Sequence, residues 1–176
     1  SGSSTVTGES FKDQNFGRDQ ILEVRKEFFN NSFDHQTRAL VNFAGTDFTN
    51  MSKSVSDGTI RDDAKYFLRL YEAEGNAEMT EEYKLAIQPI SMSWTEGTGK
   101  FGDRPKNTNG CSWENRSNPI GGTSLIWSGS GAGVTVITSS VFSDVVSSST
   151  QTFSNQSADV EVEVTDMVNM WLGGVR

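Results

Sequence analysis

Apolar and polar residues alternate with a period of two along much of this chain, the spacing that buries one face of a β-strand and wets the other. The plainest case is Asp159-Val160-Glu161-Val162-Glu163-Val164, whose valines a helix would scatter around its cylinder. Tyr83-Lys84-Leu85-Ala86-Ile87-Gln88 alternates likewise, with Tyr83, Leu85 and Ile87 on one face, and Pro89 marks a strand end or a sheet edge. In Tyr66-Phe67-Leu68-Arg69-Leu70-Tyr71 the same rule points Leu68 and Leu70 inward and Arg69 outward, beside Phe67 and Tyr71. Shorter extended segments are expected at Ile21–Arg25, Arg38–Phe43, Val134–Thr138 and Val141–Val146, with a hairpin loop from Gly75 to Glu82.

One short helix is expected near the end. Thr165 or Asp166 can cap it, Met167 to Leu172 supply its apolar face and Gly173-Gly174 stop it. The stretch from Thr95 to Gly133 has little strand character and much Gly, Ser and Asn. A loop of this length is expected to pack as an ordered flap, held by the aromatic rings of Trp94, Phe101, Trp113 and Trp127. About seven or eight short strands, few prolines and one helix indicate an all-β fold, an antiparallel two-sheet jelly-roll-like sandwich with one short C-terminal helix. Residues 1–14 read as a flexible N-terminal segment and 15–176 as the module.

Composition narrows the function classes. The net charge is −8, and an acidic surface repels both phosphate backbones and anionic membranes, so neither nucleic acid nor membrane is an expected partner. No stretch reaches the ~18 apolar residues of a membrane span, and no charged-then-apolar leader opens the chain. The single cysteine, Cys111, rules out an internal disulfide.

The chemistry-bearing residues are sparse. The one histidine, His35, lies in a polar run where an exposed imidazole needs no catalytic explanation. Glu96, beside Trp94, is the best candidate general acid, but nothing identifies a second carboxylate for glycoside hydrolysis. Asp57, Asp62 and Asp63 offer oxygen ligands for a structural Ca2+ without the spacing of an EF-hand loop. The Gly-rich run from Ser128 to Gly133 lacks the Lys-Ser/Thr of a phosphate loop. Trp94 and Trp171 adjoin strand and helix signals and read as structural anchors. Trp113 and Trp127, in the Gly-rich flap, are either buried anchors or a stacking platform for a glycan.

Several pieces, in order, resemble DNRLRE-type β-sandwich domains. Asn15-Phe16-Gly17 leading to Ile21-Leu22-Glu23-Val24 is similar to the family's aromatic-Gly turn and first strand. Arg38 to Phe43 resembles its Arg-bearing strand, and Phe67-Leu68-Arg69-Leu70-Tyr71 its Leu-x-Leu-Tyr strand. Trp94-Thr95-Glu96-Gly97 is similar to its Trp-x-Glu turn, and Gly110-Cys111-Ser112-Trp113 to the Gly-x-x-Trp that follows. Val162 to Val168, with Trp171 and Gly173, resembles the closing strand and helix. Met92 to Phe101 and the Ser/Gly/Asn flap are most similar to versions in virion structural proteins of tailed marine bacteriophages.

The resemblance implies a scaffold without catalytic residues, and some related modules bind polysaccharide. The expected role is therefore a non-catalytic structural or attachment module at the surface of a phage virion, in capsid, neck, tail or fibre. Its partners would be other virion subunits or further domains of the same longer chain, with a surface glycan as a further candidate and no cofactor beyond the Ca2+ considered above. The alternative is an extracellular carbohydrate-binding module of a secreted or cell-surface protein. The family continues with further strands where this chain stops at Val175-Arg176. That predicts either a longer parent chain or a strand supplied by a neighbouring subunit.

Overall fold

The computed structural model describes residues 10–29, 31–73, 82–90, 92–127, 149–154 and 159–173. In chain order the elements are β1 (Lys26–Phe29), β2 (Ser32–Gln36), α1 (Gly45–Ser56), β3 (Phe67–Leu70), β4 (Glu82–Ile87), β5 (Asn115–Ser117), β6 (Leu125–Ile126), β7 (Ser149–Ser154), β8 (Val160–Glu163) and α2 (Thr165–Leu172). The strands form antiparallel two-stranded ladders, β1–β2, β3–β8, β4–β7 and β5–β6. Among the described residues most elements are thus strands in small antiparallel pairs, with a short helix at the C-terminal end and α1 between β2 and β3. It divides into two compact units, Ser1–Val41 with Met92–Val141, and Asn42–Ser91 with Phe142–Arg176.

The second unit follows the alternation closely. β3 pairs with β8 so that Leu68 faces Val162 and Leu70 faces Val160, while Arg69 meets Glu161 on the outer face with an ion pair of 3.0 Å. Val162 is buried, Val160 and Val164 are half-buried and the glutamates between them are exposed. β4 pairs with β7, stacking the Tyr83 and Phe153 rings at 4.7 Å. Gln151 of β7 then reaches across to β8. Its side-chain oxygen accepts the Glu161 N–H at 2.8 Å and its Nε2 donates to the Asp159 carbonyl at 3.1 Å, replacing ladder bonds with side-chain ones. The strands flanking the expected hairpin loop thus pair with late strands and not with each other; residues 74–81 of that loop lie outside the described residues, as do the segments expected at Val134–Thr138 and Val141–Val146.

α2 stops at Gly173 as expected and buries Met167 and Val168. Its N-cap is Val164, without a side-chain cap bond, because the Thr165 hydroxyl is used elsewhere. It accepts the Tyr66 N–H at 3.0 Å and donates to Glu163 at 2.9 Å. Trp171 packs edge-on against Phe48 of α1, with ring centroids 5.6 Å apart. α1 itself was not expected, since its sequence is mostly polar. Phe48, Met51 and Val55 nevertheless recur at helical spacing, and all three are half-buried.

In the first unit the early strand falls later than the alternation suggests. Ile21, Leu22 and Val24 are exposed and the ladder begins at Lys26, with Asn31 at φ 61° in the turn to β2. Asparagine accepts that left-handed conformation more readily than most residues. Arg38–Phe43 forms no strand among the described residues, and Val41 and Phe43 are exposed. The segment expected to be flexible up to residue 14 includes Phe11 and Gln14, both buried.

Candidate functional site

The best-organised polar region surrounds Asn15, which exposes no surface. A polar side chain that dry is costly unless its hydrogen bonds are made within the protein. Asn15 makes them. Its Nδ2 donates to the carbonyls of Glu96 at 2.6 Å and Cys111 at 2.7 Å, and its Oδ1 accepts the N–H groups of Gly17 at 3.0 Å and Gly99 at 2.7 Å. Its backbone N–H donates to the Asn107 carbonyl at 2.8 Å. One side chain thereby clamps the 92–127 segment onto the N-terminal turn.

Gly97 and Gly110 make the close approach feasible. Their φ values are +81° and +101°. A Cβ on Gly97 would collide with the Asn109 carbonyl and the Asn15 amide, and one on Gly110 with the backbone of Gly97. Three motifs distant in sequence, at Asn15–Gly17, Trp94–Gly97 and Gly110–Trp113, meet here. Asn15 reads in sequence only as a turn residue; the overlooked signal is the recurrence of Gly97, Gly99 and Gly110 in one long loop.

Of the two readings left open for Trp113 and Trp127, the structure favours the anchor for Trp127. Trp127 is 5% exposed, and its Nε1 donates to the Ser112 carbonyl at 3.0 Å. It is an anchor, and the glycan platform proposed for it has no exposed face. Trp113 is half-buried, with the Arg38 guanidinium 4.8 Å above its ring, so that face is covered by a cation. Burial holds the Arg38 pKa below its ordinary value. Trp94 is half-buried in the first unit; Trp171 anchors helix to helix in the second.

The other candidates serve local structure. Glu96 is exposed, and the fold uses its carbonyl oxygen. Hydrogen bonds from the Thr59 side chain and then from its N–H, at 3.0 Å, hold the Asp57 carboxyl below the ordinary range, and Asp63 accepts from Nε and Nη2 of Arg61 at 2.8 and 2.7 Å. Asp62 is exposed. Among the described residues no group of three or more His, Cys, Asp or Glu side chains is placed to hold a metal ion. Burial pushes the Cys111 thiol up to about 11, so it stays protonated at neutral pH and is a poor nucleophile.

Sequence reading gave no sign of an open cleft in the first unit, about 680 Å³ in volume, between the 103–109 and 118–122 loops. Close by stands a cluster of three phenylalanines. The Phe101 ring is 5.5 Å from Phe11 and 6.5 Å from Phe16, and Phe101 remains 60% exposed. Beneath them Gln14 donates from Nε2 to the Lys100 and Phe101 carbonyls at 2.8 and 3.2 Å. Compared with known proteins, the chain matches no family model, no curated protein and no solved structure.

Proposed function

We propose that this chain is a non-catalytic structural or attachment module of a phage virion, built as a jelly-roll-like sandwich. The observation that carries the reading is the Asn15 clamp. In the first unit polar side chains are committed to holding loops together: the Asn15 amide to four backbone groups, the Trp127 indole to Ser112, and Arg38 to the face of Trp113. The Cys111 thiol, with its pKa near 11, adds no nucleophile. Such bonding orders the loops of the first unit, which suits a scaffold that presents surfaces to other subunits. The assignment to a phage particle rests on the sequence resemblance.

Two measurements test the reading. Immunogold labelling with serum against this chain should mark the particles themselves; label confined to the surrounding medium would count against a virion component. Incubation with polysaccharides should release no reducing ends or unsaturated products. Turnover that vanished in Glu96→Gln with the fold intact would overturn the non-catalytic assignment. The second reading, an extracellular carbohydrate-binding module, is favoured by one observation, the open polar cleft of the first unit.

A further inference from the structure

The two walls of the cleft are tied together by their own hydrogen bonds. Asn118 donates from Nδ2 to the Thr108 carbonyl at 2.9 Å and accepts the Gly110 N–H on its backbone carbonyl at 3.1 Å, so the two walls cannot part without breaking both. Its ionic groups are already engaged. Lys106 bonds to Asp13 at 2.7 Å and to the Ser10 carbonyl at 3.1 Å. Arg104 donates to the carbonyls of Asp103 and Phe101 at 2.7 and 3.2 Å, and Asp103 accepts the Lys100 N–H at 2.9 Å. The Asn107 and Asn118 side chains are occupied as well.

Two polar side chains of the cleft make no hydrogen bond among the described residues, the Thr108 hydroxyl and the Asn109 amide. Both residues are half-buried and neither side chain is charged. Ile120, 88% exposed, contributes an apolar wall with Pro119. At the Arg104 end the cleft adjoins Phe101, whose carbonyl Arg104 holds, whose ring Phe11 and Phe16 brace and whose N–H Asp19 accepts at 3.2 Å.

We propose that this cleft binds a neutral glycan, with Asn109 and Thr108 hydrogen-bonding to its hydroxyls and with Ile120 and Phe101 against the C–H faces of its rings. The inference rests on the attachment and glycan-binding readings above and moves the site from the tryptophans to this cleft. An amide and a hydroxyl together donate and accept, which matches the hydroxyls of a sugar. A uronate or phosphate would find Lys106 already paired with Asp13 and Arg104 engaged with backbone carbonyls, and the net charge of −8 opposes polyanions further. The volume falls within the about 300–1,000 Å³ usual for small-ligand sites.

The test is a titration of the whole isotope-labelled chain, followed by amide NMR shifts. The probes are β-1,4- and α-1,4-linked glucose oligomers, β-1,4-linked xylose and galactose oligomers, and an oligouronate as the acidic arm. The expected result is saturable shifts from a neutral oligomer, centred on Thr108–Gly110 and Asn118–Gly122. Asn109→Ala should weaken binding tenfold or more; its side chain holds nothing in the fold, so the melting temperature should not move. Phe101→Ala should weaken it as well. No saturable shift from any neutral oligomer, shifts centred on Trp113, or tighter binding of the oligouronate would each overturn the proposal. Release of reducing ends alongside cleft shifts would instead overturn the non-catalytic assignment and leave the binding site standing.

Discussion

Asn15→Ala is the perturbation that most directly probes the organisation of the first unit. The substitution removes four side-chain hydrogen bonds, two from Nδ2 and two to Oδ1, in a site with no exposed surface. At about 0.5–1.5 kcal/mol net for each bond, the expected loss is about 2–6 kcal/mol, a large share of the about 5–15 kcal/mol that holds a typical domain together. Urea unfolding followed by tryptophan fluorescence measures it. A Trp171→Phe background leaves Trp94, Trp113 and Trp127, all in the first unit, as reporters. Asn15→Asp adds a signature that cavity formation cannot mimic. An ionised carboxylate only accepts, so one oxygen would face the Glu96 and Cys111 carbonyls that now receive Nδ2. The introduced carboxyl therefore has its folded-state pKa raised above its unfolded value. Stability is retained below the unfolded value of about 3.9 and is lost as pH rises through the folded one. Asn15→Asp should thus fall further below the parent chain at neutral pH than at acid pH. A loss under about 1 kcal/mol for Asn15→Ala, or an Asp variant as stable as the parent at neutral pH, would refute the clamp.

Trp127→Ala should cost about 3–5 kcal/mol in the same assay, as other buried aromatic truncations do, whereas an exposed platform residue would lose almost nothing. Native Cys111 should resist thiol-reactive dye at mildly alkaline pH and react once urea unfolds the chain. Because its folded pKa is raised, its contribution to stability is complete below the unfolded value and is lost as pH climbs towards about 11; stability unchanged across that alkaline window would contradict the burial. Hydrogen bonds from Lys65 and then Thr165 hold the Glu163 carboxyl below its ordinary range, so their contribution is present at neutral pH and fades as pH falls through the folded value. Carboxyl NMR should show this depressed midpoint, and Lys65→Met should move it back up.

The sequence by itself determined what depends on near neighbours in the chain. The valine–glutamate alternation of β8, the inward leucines of β3 and the glycine stop of α2 are written in local periodicity, because a strand or helix repeats its faces every few residues. The helical spacing of Phe48, Met51 and Val55 in α1 was also legible, though masked by polar residues between them. Tertiary structure alone decided what depends on distant partners. β3 pairs with β8 and not with the nearby β4, a choice no local pattern encodes. Trp113 and Trp127 have similar sequence surroundings, yet a folded-back carbonyl buries one indole while an arginine from residue 38 covers the other. Asn15 takes its importance from Glu96, Gly99 and Cys111, more than eighty residues away. A hydrogen bond depends on where its acceptor sits in space, and only the folded chain brings these carbonyls to the amide.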